Sequence, residues 1–252
     1  MSSIPSREEF KKQRTLPRHV AIVMDGNSRW ATANRKSVRA GHKAGVDAVR
    51  ELIECCPKYD IEVLTLFAFS TENWQRPARE VKTLLALLSW ALRAETPRLN
   101  KNNVRLKIIG NRDNFPPRVI ARIEEAERLT AGNTAWTLVV AVDYGGRWDL
   151  SQATKQIALD LASNKISEQQ ITPELIGQYT CLSDMPDPDL CIRTAGDHRI
   201  SNFMLWQFAY TELYFTDLFW PDFDEQAFKA ALYEFASRQR RFGKRDDDTS
   251  NE

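Results

Sequence analysis

Five short runs rich in Val, Ile, Leu and Phe recur along the chain with helix-like segments between them, and this alternation constrains the fold more than any other feature. The runs are residues 19–24 (HVAIVM), 61–69 (IEVLTLFAF), 103–109 (NVRLKII), 136–142 (WTLVVAV) and 189–193 (DLCIR). Amphipathic spacing predicts helices over 41–56, 77–95, 115–130, 148–164, 172–180 and 224–241. Continuously apolar strands separated by helices belong in a mostly parallel sheet covered on both faces. No Pro/Gly-rich linker divides the 252 residues, so a single α/β domain is expected over 18–243, with a polar arm at 1–17 and a solvated acidic tail at 244–252.

The chain carries 35 basic and 34 acidic residues, a net charge of +1, which gives no global attraction to nucleic acid or to an anionic membrane. Any basic site must be local. Cys55, Cys56, Cys181 and Cys191 form no C-x-x-C pair and lie near no histidine cluster with zinc spacing, as expected of structural thiols in a reducing cytoplasm. No apolar h-region begins the sequence, and no segment approaches the ~18 apolar residues of a membrane span.

Open parallel sheets bind ligands beyond the carboxyl ends of their strands, so the residues after each run are the informative ones. Asp25, Gly26, Asn27, Ser28, Arg29 and Trp30 follow the first run, and Ser70, Thr71, Glu72, Asn73, Trp74 and Arg76 follow the second. Asp143 to Arg147 follow the fourth, and Thr194 to Ser201 the fifth, so four polar, arginine-bearing loops are expected on one rim. Several arginines at one edge suit a polyanion such as a diphosphate.

Gly26 permits close backbone approach, while Asn27 or Ser28 is a candidate helix cap. Asp25 is either a turn residue or a carboxylate that needs a cation between itself and a phosphate, a role Mg²⁺ fills. His42 and His198 are each a metal or phosphate candidate or an ordinary histidine. Glu212, in an aromatic, strand-like segment, requires a salt bridge or a metal. The segment 77–95 is apolar over more than the usual ~100° stripe, which fits either a thoroughly buried helix or the wall of a cavity for a long hydrocarbon.

Six stretches, HVAIVMDGNSRWA, GHKAG, LTLFAFSTENWQRP, DYGGRWD, CIRTAGDHRISNFMLWQFAYTELYFTDLFWPDF and RRFG, together resemble the cis-prenyltransferases over residues 18 to 243. The resemblance implies a homodimeric enzyme that extends farnesyl diphosphate with isopentenyl diphosphate into a long Z-configured chain, the precursor type of the bacterial cell-wall lipid carrier. It also implies a Mg²⁺ requirement and a cytoplasmic location with peripheral membrane contact at product release. The aspartate-rich D-D-x-x-D pair of the trans enzymes is absent, in agreement.

By position, the resemblance makes Asp25 the essential aspartate, with His198 and Glu212 beside it as metal ligands. Gly26, Asn27, Ser28, Arg29, Trp30, Arg39, His42 and Arg76 become ligands of the allylic head group. Ser70, Thr71, Glu72 and Trp74 belong to the loop that organises both substrates, and Asn73 assists proton removal. Arg193, Arg199, Ile200 and Ser201 bind isopentenyl diphosphate, and Arg241-Phe242-Gly243 reaches the neighbouring subunit's site. Leu84, Leu85, Leu88, Leu106, Ile108, Trp136 and Leu138 are the expected lining of an apolar tunnel. Three departures stand out: Val38 where the family often has arginine, Ala195 and Asp197 where Gly and Glu are common, and Trp136 where a leucine-sized residue is frequent.

A non-catalytic scaffold subunit is the competing reading, but such relatives lose the first aspartate motif, which is intact here. A nucleotide-binding module lacks support because no G-x-G-x-x-G or Walker loop follows a strand.

Overall fold

The computed structural model describes residues 16 to 238. Six strands form one sheet: β1 (His19–Val23), β2 (Val63–Ser70), β3 (Val104–Ile109), β4 (Trp136–Tyr144), β5 (Leu190–Arg193) and β6 (Glu212–Phe215). Their order is β3-β4-β2-β1-β5-β6, and all five pairings are parallel. Seven α-helices accompany them: α1 (Asn27–Ala33), α2 (Val38–Cys55), α3 (Ala78–Lys101), α4 (Pro117–Thr130), α5 (Gly146–Ala162), α6 (Pro173–Tyr179) and α7 (Glu225–Ser237). The expected single α/β domain is present. The polar arm up to residue 15, the acidic tail and Arg241-Phe242-Gly243 lie outside the described residues.

Two elements exceed the sequence reading. Helix α1, implied in the sequence only by its candidate caps Asn27 and Ser28, is seven residues long and buries Ala31 alone. The aromatic segment around Glu212 is a true sheet strand, an edge strand with only partial burial.

Alternate side chains of the strands feed two cores. On one face Ile22, Leu64, Leu66, Leu106 and Leu138 meet side chains of α2, α3, α4 and α7, among them Leu52, Leu92, Ile123 and Phe228. On the other face Ala21, Val139 and Cys191 pack with Phe203, Met204 and Phe208. Because β1 adjoins both β2 and β5, the chain's direction of progress reverses there, and a crevice opens beyond the carboxyl ends of these three strands.

His19 at the start of β1 is fully buried. Its Nδ1 lies 2.7 Å from the Pro186 carbonyl oxygen and its Nε2 2.7 Å from Thr65 Oγ1. Burial dominates and pushes its pKa down to about 4, so the folded state keeps the ring neutral well below the 6.5 of a free histidine. The unfolded chain therefore binds the extra proton first, and stability is lost as pH falls below 6.5. A loss of about 2 kcal/mol is expected between pH 7 and pH 5. Urea midpoints of the native chain and His19→Gln across that range check it: the native midpoint should fall more steeply, and parallel curves would contradict the assignment.

Candidate active site

Val23, the last residue of β1, pairs with Phe67 of β2 on one side and Arg193 of β5 on the other. The loops that leave these three strands therefore begin side by side. Register shifts in the β2–β4 pairing between Phe67 and Ser70 mark an irregularity. Such bulges re-aim side chains, and here the consecutive residues Ala68, Phe69 and Ser70 all face one cleft of about 780 Å³.

Asp25 is placed by its backbone, which donates to Val23 O at 3.0 Å and to Thr194 Oγ1 at 2.9 Å. Its carboxylate accepts the Gly26 N–H at 2.7 Å and pairs with Arg193 at 2.9 Å and Arg29 at 3.2 Å. Partial burial pushes this carboxyl up, but hydrogen bonds and charge from Arg193 and Arg29 outweigh that and hold it below the usual carboxylate range. Asp25 is therefore ionised at neutral pH.

Arg193 ends β5 with only 6% of its side chain exposed. It donates to Arg199 O, Ser201 Oγ, Asp25 and Asp197, while its Nε has no partner. Arg29 reaches the Ala195 carbonyl at 2.9 Å and Asp197 at 3.6 Å. Arg29, Arg193 and Arg199 thus share Asp25 and Asp197, and a polyanion would compete for the same guanidinium groups.

Gly26 has φ +101°, and a Cβ there would stand 2.8 Å from both Ala195 Cβ and the Phe219 ring. Gly26 is itself the N-cap of α1, with no side-chain cap, so neither Asn27 nor Ser28 fills that expected role. Gly26→Ala is expected to destabilise the fold by at least about 2 kcal/mol and to abolish turnover, because left-handed strain and the clash coincide. Thermal unfolding and an activity assay check this, and native-like values in both would contradict it.

Ala195 holds φ 71°, a left-handed conformation that costs a side-chain-bearing residue about 1 kcal/mol.

His42 and Asn27 are half-buried, and both His42 Nε2 and Asn27 Oδ1 are enclosed without a hydrogen-bond partner. Burial, aided by the nearby Arg76 charge, lowers the His42 pKa, so its ring is neutral at pH 7. Asn73 sits on a 3-10 turn (Thr71–Gln75), where its Oδ1 accepts the Ser70 N–H at 3.1 Å.

Of the expected site residues, Asp25, Gly26, Asn27, Ser28, Arg29, His42, Ser70, Glu72, Asn73, Arg76, Arg193 and Ser201 line the cleft. Others stand outside it. Trp30 donates to Asp222, Arg39 is solvent-exposed, Thr71 lies behind the rim against Gly145, and Trp74 points back to Asp143. Arg199 pairs with Asp197, His198 lies 4.9 Å from the Phe215 ring, and Ile200 packs on the second core.

Glu212 forms a salt bridge with Arg238 at 2.8 Å. It pairs with Leu190, at the end of β5 opposite Arg193, roughly 10 Å along the strand. Among the described residues no three His, Cys, Asp or Glu side chains gather as a metal cage, so one chain does not bring Asp25, His198 and Glu212 together.

The fourth loop does not line the cleft either; it braces it. Gly146 N donates to Asn202 O and Arg147 N to Asn202 Oδ1, while Asn202 Nδ2 donates to Glu72. Sequence reading missed Asn202 and Glu80 as cleft residues. The available signals were adjacency to Ser201 and the i,i+4 spacing from Arg76, to which Glu80 pairs at 2.8 Å.

Beneath the cleft an apolar cavity of about 170 Å³ lies between α2, α3 and the sheet. Leu84, Leu85, Leu88, Leu106 and Leu138 line it as expected. Ile108 and Trp136 do not: both are buried in the core, and Trp136 instead walls a recess at the amino end of the sheet with Ile53, Ile61 and Val104. Cavity and cleft share Met24, Asn27, His42, Ala68, Phe69 and Leu84.

The prenyltransferase (undecaprenyl diphosphate synthase) family model matches residues 23–243. A ditrans,polycis-undecaprenyl-diphosphate synthase of Pseudomonas syringae pv. tomato, specific for (2E,6E)-farnesyl diphosphate, is 56% identical over 91% of this chain and 92% of its own. The Escherichia coli K12 enzyme of the same name is 52% identical over 90% and 89%. A lavandulyl diphosphate synthase from Lavandula x intermedia, solved with dimethylallyl diphosphate, superposes with a TM-score of 0.88 at 34% identity, covering 90% of this chain and 98% of that one.

Proposed function

This chain belongs to the undecaprenyl diphosphate synthase family of prenyltransferases, and from that membership we propose how its cleft and cavity elongate farnesyl diphosphate with isopentenyl diphosphate into a long cis-polyprenyl diphosphate. The head group occupies the arginine-lined cleft and the hydrocarbon enters the cavity below. The observation that carries this is the shared boundary, since a polar anion site continuous with an apolar cavity matches an amphiphile with a diphosphate at one end.

Arg29 and Arg193 offer planar forks to diphosphate oxygens, and preorganised charge of this kind stabilises the negative charge that builds on a leaving diphosphate. His42, neutral at the boundary, has an unpartnered ring nitrogen to present to the head group. Asn73 orients rather than accepts a proton in this state, because its amide oxygen is engaged by Ser70. The leucines of α3 and the sheet exclude water from the allylic carbon as its C–O bond to the diphosphate breaks, the carbon–carbon bond forms and the proton passes to the released diphosphate.

The donor set fits magnesium. Mg²⁺ takes one or two carboxylates, phosphate oxygens and waters, and Asp25 and the unpartnered Asn27 Oδ1 are oxygen donors on the same cleft wall. Asp25 would hold the ion, which when bound neutralises charge on the diphosphate. His198 and Glu212 as further ligands, and the homodimer, remain part of this proposal; exposed Leu213 on edge strand β6 and Tyr210 just before it support an intersubunit contact. Among the described residues no helix is long and apolar enough to cross a membrane, so peripheral contact is the form of membrane association proposed.

The cavity is scarcely larger than the ~150 Å³ that holds a benzene ring. A long product therefore requires α2, α3 and the sheet to part as it grows. Incubation with labelled isopentenyl diphosphate, farnesyl diphosphate and Mg²⁺ tests the function: butanol-extractable label is expected, and no incorporation would contradict it.

A further inference from the structure

We propose that Asp143 is a positioning residue for the turn that carries Asn73, acting through the Trp74 indole. The proposal rests on the reading of Ser70 to Arg76 as a substrate-organising segment. Asp143 is the penultimate residue of β4 and is 1% exposed. One carboxylate oxygen accepts Trp74 Nε1–H at 2.7 Å, and the other accepts Asn114 Nδ2–H at 3.0 Å. Both oxygens of a buried acid are thus taken up by neutral N–H donors from two different loops rather than by a cation.

The backbone at this position is committed as well. Asp143 has φ 50°, a left-handed conformation that aspartate tolerates better than most residues. Its carbonyl accepts Asn111 N–H at 3.0 Å. Adjacent Gly110, at φ +121°, could carry no side chain, since a Cβ would lie 2.0 Å from Val142 O. The Asp143 carboxylate is therefore held still by the end of the sheet, which makes it a fixed reference point for whatever it binds.

What it binds is the turn. The Trp74 ring lies edge-to-face with Phe69 at 5.1 Å and tilted against Phe115 at 6.0 Å, contacts that are apolar. The N–H bond to Asp143 adds a directional polar anchor to them. Two side-chain hydrogen bonds tie the turn to loops from other strands, Glu72 to Asn202 and Trp74 to Asp143. The first is exposed and the second is not, and an enclosed bond to a carboxylate is the stronger of the two. Asn73 precedes Trp74, and Arg76 follows two residues later, so the placement of both in the cleft depends on this anchor.

Asparagine at 143 would not break the anchor, because its Oδ1 can still accept the Trp74 N–H while Asn114 turns its own amide oxygen toward the new NH₂; alanine removes both acceptor oxygens. Asp143→Ala and Trp74→Phe are each expected to lower kcat for isopentenyl incorporation by about tenfold or more. The KM for farnesyl diphosphate should change less than about threefold, because Asp25, Arg29 and Arg193 are untouched. The double variant should be no slower than the worse single variant, since both remove the same bond. Asn114→Ala, which breaks only the other contact, should lower the urea midpoint but keep kcat within about twofold.

Hydrogen exchange supplies a readout independent of turnover: amides of residues 71 to 76 should exchange faster in Asp143→Ala and Trp74→Phe but not in Asn114→Ala. Native kcat in Trp74→Phe or in folded Asp143→Ala, additive losses in the double variant, or equal kcat losses in Asn114→Ala would overturn the proposal. If the unaltered chain fails to elongate farnesyl diphosphate, the functional reading fails instead, and the exchange rates alone decide the role of Asp143: unchanged exchange in Trp74→Phe and Asp143→Ala overturns it.

Discussion

Replacing Asp25 with asparagine is expected to reduce turnover by about 10³-fold, on the order of 4 kcal/mol of transition-state stabilisation, while the chain remains folded. The side chain keeps its volume, and its Oδ1 still accepts the Gly26 N–H, so the local turn survives. Arg193 retains Asp197, Arg199 O and Ser201 as partners, which spares the fold an unpaired buried cation. What disappears is the anionic oxygen pair between the two arginines, the carboxylate proposed to hold a divalent cation beside the diphosphate. Steady-state kinetics with circular dichroism decide the matter. Near-native turnover in a folded variant would mean that Asp25 serves only the turn.

Trp136→Ala is expected to lengthen the product. The indole lies at the amino end of β4 and walls the lower recess, and Ile53 borders both that recess and the apolar cavity. Removing the ring widens the recess of about 710 Å³, which a growing chain leaving the cavity of about 170 Å³ would enter past Ile53. The same change excavates the core, where loss of a buried tryptophan costs about 3 to 5 kcal/mol, so Trp136→Leu is the gentler companion. Thin-layer sizing of dephosphorylated products reads the result. Both variants should shift toward longer chains, alanine further than leucine; unchanged length in folded protein would show that the recess is not on the hydrocarbon's path.

The central strands were legible because their residues are apolar on both faces, a pattern that depends on the sheet and not on distant partners. The ends of those strands gave away the cleft for the same reason: Asp25, Ser70 and Arg193 must emerge together once β1, β2 and β5 are parallel neighbours. Helix α1 was visible only through its candidate caps because it buries Ala31 alone, and β6 only as a strand-like segment because none of its residues is fully buried.

The role of the fourth loop was illegible in a deeper sense. Arg147 resembles a phosphate ligand by composition, but the backbone of its loop is spent on Asn202. Only the packing of Gly145 and Gly146 against Thr71, Asn202 and Leu205 reveals a brace. Trp136 was misplaced by one layer, since sequence pattern marks a residue as buried but not which side of a wall it stands on. Asp143 was visible as a loop residue, and only the three-dimensional arrangement shows its carboxylate turned inward to Trp74 and Asn114.

The central claim is that the arginine cleft and the leucine cavity form one continuous site for one amphiphilic molecule. A crystal structure with farnesyl diphosphate bound tests it most directly. The account predicts the diphosphate against Arg29 and Asp25, the first isoprene unit passing His42 and Asn27, and the tail among Leu84, Leu85 and Leu88. A diphosphate bound in the cleft with its tail lying out across the protein surface would contradict it.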